Sequence, residues 1–241
     1  MTINELHIQL DLQSENKINV LEDVARKCNE GYLFVDSSDG HCYLFDENGN
    51  EDDIKKIKSI GDEAFAYCES LKSIIIPDSV KNVREDAFAC CENLESIEIP
   101  DSVKWIGDWA FVYCENLKSI IIPDSVKHIG NHAFEKCKNL KSIVIPDSVK
   151  KIGDGIFYEC KSLKSIEIPD SVKHIGNHVF ETCKNLTSIV IPDSVESIGV
   201  RAFYNCISLK SLIFKGKTME QVKEMDNYPF GIEDESIIRY N

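Results

Sequence analysis

The sequence contains no apolar stretch long enough to cross a membrane. A spanning helix needs about 18 or more consecutive apolar residues, and no run approaches that length. The amino-terminal segment MTINELHIQLDLQSENK also lacks the basic start and apolar run of a secretory signal. The chain as written is therefore expected to stay in the cytoplasm and to have no membrane partner.

An excess of basic residues is also absent. The formal net charge is -14 at pH 7. Residues 1–53 carry 13 acidic and 3 basic residues, whereas residues 54–214 carry 22 and 20. Because an acidic surface repels the phosphate backbone, direct nucleic-acid binding is not expected.

Complete metal-binding patterns are missing. Asp46, Asn48, Asn50 and Asp52 alternate as in a calcium loop, but Glu51 stands where such a loop needs glycine. There is no C-x-x-C pair. Two histidine pairs with i, i+4 spacing lie two repeats apart, about 10 Å by strand spacing, which is too far to share a metal. These pairs are His128 with His132 and His174 with His178.

Patterns that join a nucleophile to a base are missing as well. A serine recurs seven times at one position without a histidine expected on the same face. The column consists of Ser73, Ser96, Ser119, Ser142, Ser165, Ser188 and Ser211. No cofactor motif appears either, so we expect a protein that is not an enzyme and needs no cofactor.

What the sequence does contain is a repeat of 23 residues, present seven times between about Ile54 and Phe214. The unit reads I-G-x-x-A-F-x-x-C-x-x-L-x-S-I-x-I-P-D-S-V-K-x. The phenylalanine column is Phe65, Phe88, Phe111, Phe134, Phe157, Phe180 and Phe203, and the leucine column is Leu71, Leu94, Leu117, Leu140, Leu163, Leu186 and Leu209. A leucine-rich unit of this length indicates a leucine-rich-repeat solenoid, which is a strand-rich α/β fold.

Each part of the unit predicts one piece of a coil. The alternation in L-x-S-I-x-I predicts a strand with Leu71, Ile74 and Ile76 inward and Ser73 and Ile75 outward. The following proline ends the strand, because it cannot donate a ladder hydrogen bond, and Asp-Ser forms a turn. V-K-x-I-G predicts a second extended piece, and A-F-x-x-C predicts a short turn or 3-10 segment in the return path.

The motif A-F-x-x-C-x-x-L-x-S-I-x-I-P-D-S-V resembles the BspA-like, or treponemal-type, leucine-rich repeats. The resemblance covers about two thirds of the chain. It implies a curved solenoid used in adhesion and protein recognition, without catalytic residues.

The ends of the chain depart from the repeat and are expected to cap it. Residues 1–53 form an acidic α/β cap, with a strand at 6–12, a helix from Ser14 to near Gly31, and a hairpin of YLFVD and CYLFD. Residues 54–214 form the repeats. Residues 215–241 form a second cap, with a short helix after Thr218 and an irregular tail.

Two further columns are interpreted as structural. The cysteines are expected to be small, buried and reduced, although a disulfide or soft-metal ladder is the alternative. They are Cys68, Cys91, Cys114, Cys137, Cys160, Cys183 and Cys206. The aspartates are expected to form turns, with calcium binding as the alternative. They are Asp78, Asp101, Asp124, Asp147, Asp170 and Asp193.

Positions that vary between otherwise similar units are the candidates for recognition. One set is an outward strand column, which predicts an apolar docking strip interrupted by two carboxylates. It contains Ile75, Glu98, Ile121, Val144, Glu167, Val190 and Ile213. A second set is aromatic and suits interface anchors. It contains Trp105, Trp109 and Tyr113, with His128 and His132 in the next repeat.

These features predict a non-catalytic interaction module that binds a protein. One alternative is a cytosolic inhibitor or decoy, for instance phage-encoded, whose acidic segment occupies a basic site on a nucleic-acid enzyme. That segment includes Asp46, Glu47, Glu51, Asp52 and Asp53. The other alternative is a surface adhesin.

Overall fold

A computed structural model describes most of the 241-residue protein. It describes the backbone of residues 8–10, 32–36 and 41–45, and all atoms of residues 59–69, 71–76 and 78–240. Short parallel strands stack at a spacing of 23 residues into about eight turns of a solenoid. The predicted fold class is therefore confirmed.

The first side of the coils, here called the long-strand face, is built from the S-I-x segments. Its strands are β5 (Leu71–Ile75), β7 (Ser96–Glu98), β9 (Ser119–Ile121), β11 (Ser142–Val144), β14 (Ser188–Ile191) and β16 (Ser211–Phe214). Equivalent residues pair in parallel, as Ser142 does with Ser119. Between β11 and β14 the ladder is reduced to a single bridge that joins Val144 and Glu167.

The second side consists of two-residue strands from V-K-x-I-G. They are β4 (Ser59–Ile60), β6 (Asn82–Val83), β8 (Trp105–Ile106), β10 (His128–Ile129), β12 (Lys151–Ile152), β13 (His174–Ile175) and β15 (Ser197–Ile198). They form a four-stranded sheet from β4 to β10 and a three-stranded sheet from β12 to β15. The glycine that follows lies against the preceding coil, because a Cβ on Gly130 would lie 2.3 Å from the Asp108 nitrogen.

The third side is a run of tight turns at A-F-x-x-C. The sequence allowed a turn or a 3-10 segment here, and the structure has turns. Two positions in each coil take positive φ, as at Trp109 (52°) and Tyr113 (60°). Alternate N–H groups point to the next coil, so that the Phe111 nitrogen donates to the Ala133 oxygen at 2.8 Å. The return path is thus also a coil-to-coil ladder.

The core runs the length of the stack. The seven repeat phenylalanines are fully buried, with neighbouring ring centroids 5.0–6.0 Å apart and ring planes within 12° of parallel. Leu71, Ile74 and Ile76 are buried and Ile75 is exposed, as the strand pattern predicted. The repeat prolines follow the strands as predicted, since Pro192 comes directly after β14. Pro77 itself lies outside the described residues.

Both ends of the solenoid carry additional strands. At the amino-terminal end, β1 (Ile8–Leu10) pairs antiparallel with β5, and β2 (Tyr32–Asp36) pairs antiparallel with β3 (His41–Phe45). The predicted strand and hairpin are confirmed, whereas the predicted helix from Ser14 lies outside the described residues.

At the carboxyl-terminal end, α1 (Met219–Lys223) begins at Thr218, which forms a capping box with Gln221. A 3-10 helix (Glu235–Ile237) and β17 (Ile238–Tyr240) follow. The prediction of an irregular tail is wrong here, because β17 pairs in parallel with β16 and closes the long-strand face. The sequence of β17 lacks the repeat motif that predicted the other strands.

We expect the substitution Leu140→Ala to lower the free energy of unfolding by about 2 to 5 kcal/mol, because it opens a cavity in a fully buried site. Urea or thermal denaturation measures the change. The adjacent exposed Lys141→Ala is the control and should leave stability almost unchanged. Equal melting temperatures for the two variants would contradict the assigned core.

Candidate functional site

The predicted docking strip is assembled on the long-strand face. Pairing places Ile75 beside Glu98, Glu98 beside Ile121, and Ile121 beside Val144. Exposure is greatest in the middle, at 80% for Ile121 and 69% for Val144, against 41% for Ile75. The acidic members are exposed too, whereas Val190 and Ile213 are half-buried. The strip is therefore most accessible at two adjacent coils.

An open groove of about 760 Å³ runs from the Val144 coil across the coils that follow it, where strand pairing is reduced to one bridge. Val144 and Val190 line it, with Ile166 between them. Three carboxylates and one lysine contribute polar groups: Asp147, Glu167, Asp170 and Lys215. The groove thus combines an apolar lining with an excess of negative charge.

The aromatic set forms ring pairs that bridge two coils. Trp105 stacks on His128 with centroids 3.7 Å apart, and Trp109 stacks on His132 at 5.6 Å. Trp105 is 46% exposed and Trp109 36% exposed. The first pair lies on the short strands β8 and β10, whereas the second lies on the turns. Repeat spacing places the residues in equivalent positions, but stacking depends on ring orientations that the sequence does not specify.

Two other members of the aromatic set, His132 and Tyr113, contact charged side chains. His132 Nδ1 lies 2.8 Å from a Glu135 oxygen, and Lys136 Nζ donates to the Tyr113 hydroxyl at 2.5 Å. Burial lowers the pKa of His128, and Lys151 lowers it further, whereas Asp108 raises it. The neutral imidazole is therefore favoured against Trp105.

The cysteine column is buried and forms no disulfide within the described residues, which confirms the prediction of small buried residues. From the second coil onward each thiol donates to the phenylalanine carbonyl of the preceding coil, as Cys137 Sγ does to the Phe111 oxygen at 3.3 Å. Burial raises the pKa of these thiols, to about 12 at Cys206. The column therefore links coils and presents no nucleophile.

Two polar columns that sequence reasoning did not assign perform a similar role. The serine of P-D-S-V donates to the preceding coil, as Ser125 Oγ does to the Val103 oxygen at 2.6 Å. An Asp or Asn after the glycine accepts from the next coil, as Asp108 does from the Asn131 nitrogen at 2.7 Å. Their recurrence at the repeat period was the available signal. The aspartates of P-D-S-V are exposed, as expected for turns.

One serine and one histidine do meet on the short strands. His174 Nδ1 lies 2.9 Å from Ser197 Oγ, a contact the sequence analysis missed because the serine belongs to a different column. His174 is exposed, and within residues 59–240 no carboxylate is hydrogen-bonded to its ring. The pair lacks the third group that orients the base in a catalytic triad.

Comparison with known proteins agrees with this architecture. A family model of the BspA-type leucine-rich-repeat region matches residues 50–161 and 110–232, in six copies. Comparison with curated proteins gives no match. Over the part of the chain that the structure describes, no helix is sufficiently long and apolar to cross a membrane.

Two crystal structures are similar in sequence and in fold. The leucine-rich-repeat protein TpLRR of T. pallidum is 37% identical with a TM-score of 0.62, over 64% of this chain and 72% of that one. A leucine-rich-repeat protein of Eubacterium ventriosum is 28% identical with a TM-score of 0.58, over 63% of this chain and 41% of that one.

We expect the seven column cysteines to resist thiol reagents in the native protein, because burial disfavours the thiolate. Of the ten cysteines, only Cys90, Cys28 and Cys42 lie outside this column. Labelling should therefore reach at most three thiols without denaturant and all ten with it. Cys90→Ser should lower the native count by one, since Cys90 is only partly buried.

Mass spectrometry of the labelled peptides identifies the reactive positions. Labelling of Cys137 as rapidly as Cys90 would disprove the buried, donor role of the column.

Proposed function

The chain belongs to the BspA-type leucine-rich-repeat family, and we propose that it is a non-catalytic module that binds a protein partner through its long-strand face. The family and the solenoid architecture support a role in protein interaction or as a surface-type repeat module. The observation that carries the proposal is the exposure of Ile121 and Val144 at adjacent, directly paired positions.

Ile121 and Val144 are two of the most exposed large apolar side chains among residues 59–240. Strand propensity favours β-branched residues at these positions, but it does not require adjacent ones to remain uncovered. Covering both side chains removes apolar surface from water, and the rigid ladder beneath them adds little ordering cost on binding. Adjacent anchors on a rigid support are typical of binding hot spots.

The groove beside these anchors indicates the character of the partner. Val144 belongs both to the strip and to the groove, so a bound segment would contact the two together. Glu167, Asp147 and Asp170 outnumber Lys215 along the groove. We therefore propose a partner segment with apolar residues for the strip and basic residues for these carboxylates.

The aromatic set is proposed as a second contact area. Trp105 and Trp109 are already partly covered by His128 and His132, so each has less surface to bury than Ile121. However, Trp109 adopts positive φ, a conformation that is unfavourable for such a residue and that Gly155 adopts at the equivalent place two coils later, and Tyr113 also adopts positive φ. Backbone preference therefore does not account for these aromatic side chains.

The remaining assignments stay predictions. The capping roles of residues 1–53 and 215–241 rest on the departure of both ends from the repeat. The inhibitor alternative depends on Asp46, Glu47 and Asp52 with their neighbours, which lie outside the described residues. The cytoplasmic location and the adhesin alternative are distinguished by fractionation of the source cells.

The experiment begins with affinity capture by the full chain, mass spectrometry of the captured proteins and purification of the partner. Titration calorimetry then compares wild type with Ile121→Lys/Val144→Lys and Trp105→Ala/Trp109→Ala. Because interface anchors contribute about 2 kcal/mol or more, the first pair should weaken binding by about thirtyfold or more. The second pair should have a smaller effect.

The double variant Tyr67→Lys/Val200→Lys is the matched control, because it places two lysines at exposed apolar positions on the turns, away from the long-strand face. It should bind as wild type does. If both test pairs bind the purified partner normally, the solenoid is only a spacer, and recognition resides in residues 1–53 or 215–241.

A further inference from the structure

One column of charged side chains follows the corner where the turns meet the long-strand face. It is formed by the residue after each of the first six column cysteines, whereas the apolar Ile207 follows the seventh. In chain order it contains Glu69, Glu92, Glu115, Lys138, Lys161 and Lys184. We call it the corner column. Three carboxylates are followed by three ammonium groups, with one charge for each coil.

The corner column is held in register by the backbone. In successive coils the second residue after the cysteine donates its N–H to the column carbonyl of the coil before. The Asn116 nitrogen bonds to the Glu92 oxygen at 3.1 Å, and the Asn139 nitrogen bonds to the Glu115 oxygen at 3.0 Å. The small angles between the stacked phenylalanine rings show that neighbouring coils are closely aligned. The charges therefore form a row about 24 Å long, from the spacing of stacked strands.

Neighbouring side chains in this row reach one another. Lys138 Nζ lies 2.5 Å from a Glu115 oxygen, at the point where the sign of the charge changes. Within each block, however, the neighbours carry like charges at the same coil spacing. Within residues 59–240, Glu69, Glu92 and Lys184 form no ion pair, and Lys161 pairs with Glu159 beside it. Among residues 59–240 the blocks are therefore only partly neutralised.

A second copy of the chain has the complementary order. A two-fold axis between Glu115 and Lys138, perpendicular to the column, reverses the sequence of coils. Glu69 then faces Lys184 of the other copy, Glu92 faces Lys161, and Glu115 faces Lys138. Every carboxylate meets an ammonium group, which is the self-complementarity that an isologous interface requires.

We propose that the corner column is a homodimer contact in which two chains pack antiparallel. Charge distribution supports this orientation over a parallel one. Residues 54–117 carry 12 acidic and 7 basic residues, whereas residues 118–217 carry 10 and 15. Antiparallel packing places the acidic half of one chain against the basic half of the other, whereas parallel packing would oppose like charges.

The dimer is expected to be weak. Each exposed ion pair adds little affinity, so a dissociation constant of about 0.1 to 1 mM is expected at low ionic strength. Sedimentation equilibrium and small-angle scattering across this concentration range measure it with the full chain.

Charge-reversal variants provide the test. E69K/E92K/E115K makes the column entirely basic, and K138E/K161E/K184E makes it entirely acidic, so each variant alone should weaken self-association by about tenfold or more. An equimolar mixture of the two should associate, because one column again opposes its complement. The sixfold variant that exchanges both blocks keeps the net charge and should dimerise as wild type does.

The control K104E/K127E/K150E reverses three exposed lysines of another column and changes the net charge as much as K138E/K161E/K184E does. This control should dimerise more strongly than K138E/K161E/K184E does. Circular dichroism and melting curves establish that each variant is folded.

Any of the following results would overturn the proposal: a wild-type chain that remains monomeric up to about 1 mM, reversal variants that self-associate like wild type, or a mixture that does not associate. A monomeric chain whose basic block instead binds a polyanion such as heparin would also overturn it. None of these results bears on the Ile121 and Val144 strip, because that test measures a different partner and a different face.

Discussion

The structure depends on one constraint, which is that no coil can bury its own apolar residues. A single 23-residue unit has one phenylalanine, one leucine and a few β-branched residues, and each is covered by the same residue of the coil before and after it. All three sides of the coil are hydrogen-bonded to neighbouring coils along the axis of the stack, through the two kinds of strand and through the turns. Stability is consequently a sum of unit and interface contributions, and an end without a neighbour must be covered by something else. At the carboxyl end β17 pairs with the edge of β16.

The same constraint explains which small residues recur. Gly130 leaves room for the backbone of the preceding coil, Ser125 donates to a carbonyl of that coil, and Cys137 does the same from within the core. The serine hydroxyl satisfies a carbonyl at the corner, and the cysteine thiol gives the Phe111 carbonyl, which already accepts from the Cys114 nitrogen, a second donor in the core. Cysteine suits the inner position because it is small and apolar and can still donate a weak hydrogen bond.

Sequence periodicity was sufficient for the coil and for the outward direction of Ile121 and Val144, because both follow from one strand register. It was insufficient wherever the outcome depended on how side chains meet across coils. The stacking of Trp105 on His128, the contact of His174 with Ser197, and the interruption of pairing near Glu167 arise from ring orientation and small backbone shifts. The turn at A-F-x-x-C was ambiguous for a related reason, since its positive φ values occur at Trp, His, Tyr and Glu residues that do not signal them. Strand β17 carries no copy of the motif.

Because the core determines the spacing of every column, the surface differs from one coil to the next only in which residue occupies each place. Recognition by such a protein therefore depends on the order of residues along a column. In the strip, apolar residues at two adjacent coils are flanked by Glu98 and Glu167, which limits the apolar contact to about the width of two strands.

In the corner column the charges are grouped in two blocks of three. Alternating charges would neutralise one another within one chain, whereas grouped charges are neutralised best by another molecule. Once the register of the coils is known, the sequence gives the order of charged and apolar side chains along each surface column. That order in turn specifies which charges and apolar groups a binding partner must present.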